Sequence, residues 1–283
     1  MKLNLFITGS SGLLGKKLLF KLKKKKIKFI IFERKEGKKY KLDYFEKIFK
    51  NNNFTHIINL AAFTNVDLAE KQKEKAKEIN LNFLKKICIS LSNSKKKIKL
   101  IHLSTDQMYY DYKKNNEKKN VIKNYYTYTK IQSEKIALKQ NSLIFRTNFF
   151  GRSLDKKRMS FSDWIYLNNK NNKNIYLADD LYFSPLSMDT LCEILVKVLP
   201  SNNRGIYNLG ANCGKSRYIF GILFAKLLGL DLKLIKKVKM KDLNLCAKRN
   251  RDMRMIVKKF EKDFKIKLPS LNEEIKKVSK DYL

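Results

Sequence analysis

Along the first half of the chain, short unbroken apolar runs alternate with longer stretches in which apolar residues return every third or fourth position. The runs at residues 2–8 (KLNLFIT), 28–32 (KFIIF), 56–61 (HIINLA), 98–104 (IKLIHLS) and 142–147 (SLIFRT) are rich in branched and aromatic side chains and too short for helices, which predicts strands. Between them, LLGKKLLFKLKKKK, DYFEKIFKN, a stretch from about residue 66 to 92, and residues 125–139 carry helical spacing. Apolar strands in alternation with helices predict a parallel sheet covered on both faces, a doubly wound α/β fold. After about residue 151 the rhythm loosens. FSDWIYLNNK, MDTLCEILVKVL and SRYIFGILFAKLLGL read as helices, GIYNLGA as a strand, and the tail as two short helices around Pro269. The expected organisation is a domain over residues 1–150 and a smaller α+β lobe over 151–283, with interleaved boundaries.

Composition narrows the function classes. Hydrophobic residues make up 43% of 283, enough for a real core. Lys and Arg number 63 against 26 Asp and Glu, a formal charge of +37. The lysines run from end to end instead of forming a stripe, and the aromatic residues lie in apolar runs and not between basic ones. A specific nucleic-acid partner is therefore not expected, whereas a small anionic substrate suits the charge. No apolar run approaches the ~18 residues of a membrane span, and MKLNLFITGSSG reaches glycine too early for a signal peptide, so a cytoplasmic protein is expected. Cys88, Cys192, Cys213 and Cys246 have no metal-ligand spacing, and no metal site is predicted. His56 and His102 each sit inside an apolar run and are read as hydrogen-bonded core residues.

Three places could carry chemistry. TGSSGLLG puts Gly9, Gly12 and Gly15 directly after the first strand and before a helix, where a tight turn and a free helix N-terminus cradle a pyrophosphate. At the end of the second strand Glu33 suits the ribose hydroxyls of NAD, whereas Arg34 or Lys35 suits the 2′-phosphate of NADP; the arginine tips the expectation toward NADPH, with NADH the alternative. Ser104, Thr105 and Asp106 end the fourth strand, where doubly wound sheets place ligands and where a hydroxyl can donate to a carbonyl oxygen. In the helix that follows, Tyr126 faces Lys130 four residues on, with Ser133 and Ala137 continuing the stripe and Tyr125 and Tyr128 pointing elsewhere. A phenol beside an ammonium is expected to lose its proton more easily than usual.

In order and spacing, FITGSSGLLG, HIINLAAFTNVDLAE, IHLSTDQMY, YTYTKIQSEK and FRTNFFG resemble the extended short-chain dehydrogenase/reductases, which are Rossmann-like. More narrowly the chain resembles the RmlD-like group of dTDP-4-dehydrorhamnose reductases, and LADDLYFSPLSMDTL, GIYNLGA and AKRNRDMRM extend the likeness to the C-terminal lobe. The resemblance implies reduction of a nucleotide-linked 4-keto-6-deoxy sugar in cell-surface polysaccharide synthesis. It implies Thr105, Tyr126 and Lys130 as the catalytic set, with Tyr126 the proton donor. Gly9, Ser11, Gly12, Leu13, Leu14 and Gly15 would hold the coenzyme together with Arg34, Asp43, Ala61, Ala62, Tyr126 and Lys130. Thr64, Val66, Thr105, Asp106, Asn148 and Arg249 would face the sugar nucleotide. Part of the group forms a metal-bridged dimer, so a homodimer is among the expected states, though no ligand cluster for the metal is legible.

The chain also departs from the pattern: STDQMY stands in place of STDYVF, no proline precedes the tyrosine helix, and FSPLS replaces Gly-x-Pro-Thr. These changes touch the substrate pocket and spare the three catalytic positions. Within the same fold an epimerase or dehydratase is the alternative activity, and a non-catalytic NADP-binding regulatory subunit the alternative class.

Overall fold

The computed structural model describes residues 2–33, 40–110, 115–155 and 157–283. Five of the apolar runs become strands β1 (Asn4–Thr8), β2 (Lys28–Phe32), β3 (His56–Asn59), β4 (Lys99–Thr105) and β5 (Leu143–Thr147), and Gly205–Leu209 supplies β6. They form one six-stranded sheet in the order β6-β5-β4-β3-β1-β2. Every pairing is parallel. This is the doubly wound α/β fold expected, and its last strand, Gly205–Leu209, comes from the C-terminal part of the chain. β2 is an edge strand, which is why Ile30 and Ile31 stay 38% exposed although their run reads as buried.

Alternate strand residues serve opposite faces. Leu5, Ile7, Ile58 and Ile101 pack with Leu14, Leu18 and Leu22 of helix α1 (Leu13–Lys24). Phe6, Ile57 and Leu100 pack on the other face with Phe45 and Phe49 of α2 (Leu42–Asn51). The predicted single helix over 66–92 is broken. α3 (Val66–Lys71) ends at Gln72, and Lys73–Lys77 passes through a π-helical turn, Glu78–Asn82, into Phe83–Asn93; this second run is α4. The π turn has a visible consequence. It carries buried Asn80, whose side chain accepts from Phe63 N (2.7 Å) and donates to Thr129 Oγ1 (2.9 Å), fixing the loop after β3 against α5 (Tyr125–Leu138).

The C-terminal residues add α6 (Phe161–Lys170), α7 (Met188–Lys197), α8 (Arg217–Leu227), α9 (Lys258–Phe264) and α10 (Leu271–Ser279), with short two-stranded pairings between them. One apolar cluster runs without a break from β1 and α1 into Leu191 and Leu195 of α7 and Phe220 and Phe224 of α8. Among the described residues no helix is long and apolar enough to cross a membrane.

Candidate functional site

A cleft of about 1020 Å³ opens along the carboxyl ends of the strands. At one end lies the glycine turn. Gly9 has φ +72°, and a Cβ there would sit 2.6 Å from Ala61 N and from Leu60 C, so the segments leaving β1 and β3 run this close together only because the residue is glycine. A Cβ on Gly15 would overlap the carbonyl oxygen of Gly9. Gly12 starts α1 with no side-chain cap and no acidic residue in the first turn, which leaves backbone N–H donors for an anion. Ser10 Oγ is buried in the same turn without a hydrogen-bond partner, as is Gln107 Oε1 further along the cleft. Uncapped donors, orphaned polar atoms and glycines that admit close approach all fit a bound dinucleotide.

Past the turn, the cleft is lined by Phe32, Glu33 and Tyr40, and then by Ala61, Ala62, Thr64 and Val66. Leu13 and Leu14 line it from α1, together with Ser11. Asp43, expected near the adenine, does not line the cleft. It is exposed in the first turn of α2, where its carboxylate accepts the Tyr44 amide at 2.9 Å and serves the helix N-terminus instead. Arg34 lies outside the described residues.

In the middle of the cleft stand Thr105, Asp106, Tyr126 and Lys130. α5 is started by a capping box on Asn124, whose side chain accepts Thr127 N at 2.8 Å. That start sets the rotation of the helix, so that Tyr126, Lys130, Ser133 and Ala137 all face inward and are buried. Tyr125 and Tyr128 pack against each other on another face with tilted rings, centroids 5.5 Å apart, and Tyr128 is 37% exposed.

Burial pushes the Tyr126 phenol up to about 12, with Asp106 adding to the rise and the hydrogen-bonded Thr105 hydroxyl opposing it. This corrects the expectation of an easily ionised phenol, and the geometry shows why. Lys130 Nζ donates to Leu103 O at 2.6 Å, next to His102 Nε2 at 3.4 Å, so its charge is directed at the strand end. Burial brings Lys130 down to about 8, against the upward pull of Glu134.

His102 is hydrogen-bonded in the core, as read from the sequence, and so is His56, which bridges Thr55 and Leu199 O. His102 does more than fill space. Thr8 Oγ1 meets Asn59 Oδ1 at 2.5 Å, Asn59 Nδ2 meets His102 Nδ1 at 2.9 Å, and His102 Nε2 meets Ser133 Oγ at 3.1 Å. The network assigns the imidazole proton to Nε2. Burial and the Lys130 charge hold His102 well below its usual value, hence neutral. Behind Thr105, Arg146 forks onto Glu134 at 2.9 and 2.7 Å, Ser104 donates to the same carboxylate, and Arg146 also reaches Tyr109 Oη at 2.8 Å. Ser104 thus braces the strand end and leaves Thr105 to face the cleft.

At the far end Asn148 Nδ2 donates to Asp106 at 3.0 Å, and burial lifts that carboxyl to about 6. Arg249 lines the cleft but is held bidentately by Asp67 at 3.1 and 2.8 Å. Arg158 and Arg217 also line it and were not singled out from the sequence. Both lie beyond the strand-helix alternation, where no local pattern separates a cleft-facing arginine from the many surface cations.

The arrangement offers an uncapped helix start for an anion, a neutral phenol and a hydroxyl beside a buried lysine, and arginines lining the same cleft. The family model described as the RmlD substrate binding domain matches residues 1–283. Among curated protein sequences none matches significantly. Several solved structures share the fold. A dTDP-4-dehydrorhamnose reductase from Clostridium acetobutylicum superposes with TM-score 0.89 at 21% identity, covering 99% of both chains. The same enzyme from Bacillus anthracis, in complex with NADP, gives TM-score 0.89 at 21% identity over 99% of this chain and 100% of that one. A hypothetical dTDP-4-dehydrorhamnose reductase from Sulfolobus tokodaii gives 0.80 at 26% identity over 95% and 97% of the two chains.

Proposed function

The chain belongs to the RmlD substrate-binding-domain family along its whole length, and from that premise we propose that it is an NAD(P)H-dependent reductase of a nucleotide-linked 4-keto-6-deoxy sugar. The observation that carries the reading is the meeting of Thr105, Tyr126 and Lys130 in one cleft with the glycine turn. The turn at Gly9, Ser11, Gly12, Leu13, Leu14 and Gly15 would hold the coenzyme diphosphate, with Ala61 and Ala62 along its path and Lys130 at the nicotinamide ribose. When bound, the reduced coenzyme supplies hydride to the C4 carbonyl carbon.

The chain's own residues manage the charge that appears on the carbonyl oxygen. Tyr126, raised to about 12, is a neutral phenol at pH 7 and so holds the proton that this oxygen needs. Thr105 donates a second hydrogen bond to it. Lys130, anchored on Leu103 O, keeps a buried positive charge at the strand end, where it would hold the ribose, and burial, not that charge, sets the proton affinity of the phenol. Thr64, Val66, Asp106 and Asn148 border the space for the hexose. Glu33 and Phe32 line the adenosine end, and the choice between NADPH and NADH is made there.

The test is direct. Incubation with NADPH and dTDP-4-keto-6-deoxy sugars should consume absorbance at the coenzyme band and yield a reduced sugar nucleotide. Tyr126→Phe should retain coenzyme binding and lose turnover by about 10²–10⁴-fold, whereas Tyr125→Phe and Tyr128→Phe should remain active. A Tyr126→Phe enzyme that reduces substrate at the parent rate would falsify the assignment.

A further inference from the structure

Among the described residues three arginines line the cleft, and their surroundings differ. Arg249 is neutralised by the fork onto Asp67. Arg158 is exposed, so water compensates it. Arg217 has neither. Its guanidinium lies over the rings of Phe161, at 5.3 Å, and Phe183, at 5.8 Å, and its Nε is shielded from solvent without a hydrogen-bond partner. Among the described residues no carboxylate lies within ion-pair distance of it, and Asp106 acts on it only through space.

Such a cation is costly to keep unless something anionic arrives. The rings hold the plane of the fork and leave its N–H edge as the polar part, a geometry suited to two oxygens of one phosphate. Position identifies which phosphate. Arg217 stands at the end of the cleft away from the glycine turn, close enough to Asp106 to feel its charge, and Asp106 adjoins Thr105. A hexose with its carbonyl at Thr105 and Tyr126 would present its C1 substituent, the nucleoside diphosphate, on that side. Arg249 was expected to face the sugar nucleotide, and its charge is already taken.

We propose that Arg217 is the residue that receives the diphosphate of the sugar nucleotide, and that Arg249 serves mainly to clasp α3 through Asp67. The inference rests on the reductase reading for the identity of the substrate, but its test does not need turnover. Calorimetric titration of the NADP⁺-loaded protein with thymidine 5′-diphosphate and with thymidine separates the phosphate contribution from that of the nucleoside. The parent should prefer the diphosphate. Arg217→Met should lose about 10- to 100-fold in diphosphate affinity and leave thymidine unchanged, as expected for removal of charge-assisted hydrogen bonds. Arg217→Lys, a point charge without the fork, should recover only part of the loss. Arg249→Met should keep the preference for diphosphate over nucleoside.

NADP⁺ affinity serves as the check on folding, and Arg217→Lys provides the reading should the methionine variant lose it. Undiminished diphosphate affinity in Arg217→Lys and Arg217→Met, or loss of the preference in Arg249→Met alone, overturns the inference and leaves the reductase reading standing. A parent that binds the diphosphate through Arg217 yet reduces no keto-sugar overturns the reaction and leaves the inference. A parent that binds no nucleoside diphosphate overturns both.

Discussion

Tyr126 and Lys130 stand one helical turn apart, and burial moves their proton affinities away from each other, to about 12 and about 8. For Lys130 this is a statement about stability as well as chemistry. Its affinity is lowered from the ordinary 10.5, so the unfolded chain binds the proton more tightly than the folded one. Below pH 8 both states carry the charge and the fold bears its full cost, and the cost is relieved as pH rises from about 8 to about 10.5. Lys130→Met should therefore be inactive and yet more stable at pH 7, by roughly 1–3 kcal/mol, with the difference from the parent shrinking across that pH interval. Thermal melts at several pH values check it. A variant less stable than the parent at pH 7 would mean that the bond to Leu103 O outweighs the buried charge. Reductase activity should likewise decline as pH rises through about 8, when the lysine in the coenzyme-free protein loses its charge. The pair itself was legible from its spacing of four. The direction of the phenol's shift was not, because it depends on burial and on where Nζ points, and His102 on β4 could not be paired with residue 130 before α5 was laid on the sheet.

At the scale of elements, the turn between β1 and α1 shows how much a short segment can settle. Glycine at position 15 lets α1 rest on the carbonyl of Gly9, and a methyl there has no room. At Gly12 the corresponding contact is 3.2 Å, tight but adjustable. Gly15→Ala should lower the urea midpoint by the equivalent of about 1–3 kcal/mol and abolish NADPH binding together with it. Gly12→Ala should weaken NADPH binding with a much smaller loss of stability. Equal stability loss in the two variants would mean that the turn has no preferred point of contact. The same turn was readable in advance because glycines between an apolar run and a helical pattern leave few other conformations. So were five strands, whose apolar runs have no polar face to misplace. The π turn at Glu78–Asn82 was not, since KAKEINLNFLKKI keeps helical spacing throughout and only the pull of Phe63 and Thr129 on Asn80 shows why an extra residue is accommodated. Arg217 escaped for a related reason: its meaning comes from Phe161 and Phe183, which reach it from other elements.

For the whole molecule, the decisive feature is that the sheet takes its last strand from beyond the proposed lobe boundary. β6 pairs with β5 along Gly205–Leu209, so residues 1–150 alone would leave β5 as an open edge and strip the cover from the face shared with α7 and α8. The ion pairs across that face, Lys17–Asp189 and Lys21–Glu193, are partly exposed and add little beside the apolar contact. A single cooperative unit follows, and the chain carries a convenient reporter for it. Its one tryptophan, Trp164, lies on α6 in the C-terminal half and stacks with Phe161, whereas most of the helix and strand signal in far-ultraviolet circular dichroism comes from both halves. Urea unfolding followed by Trp164 fluorescence and by ellipticity should give superimposable curves with one midpoint. NADP⁺, bound through the N-terminal turn, should move both curves upward together although Trp164 lies outside that turn. An early fluorescence transition that coenzyme leaves in place would show the lobe opening by itself, and the cleft between turn and Arg217 would then be assembled only when substrate draws the halves together.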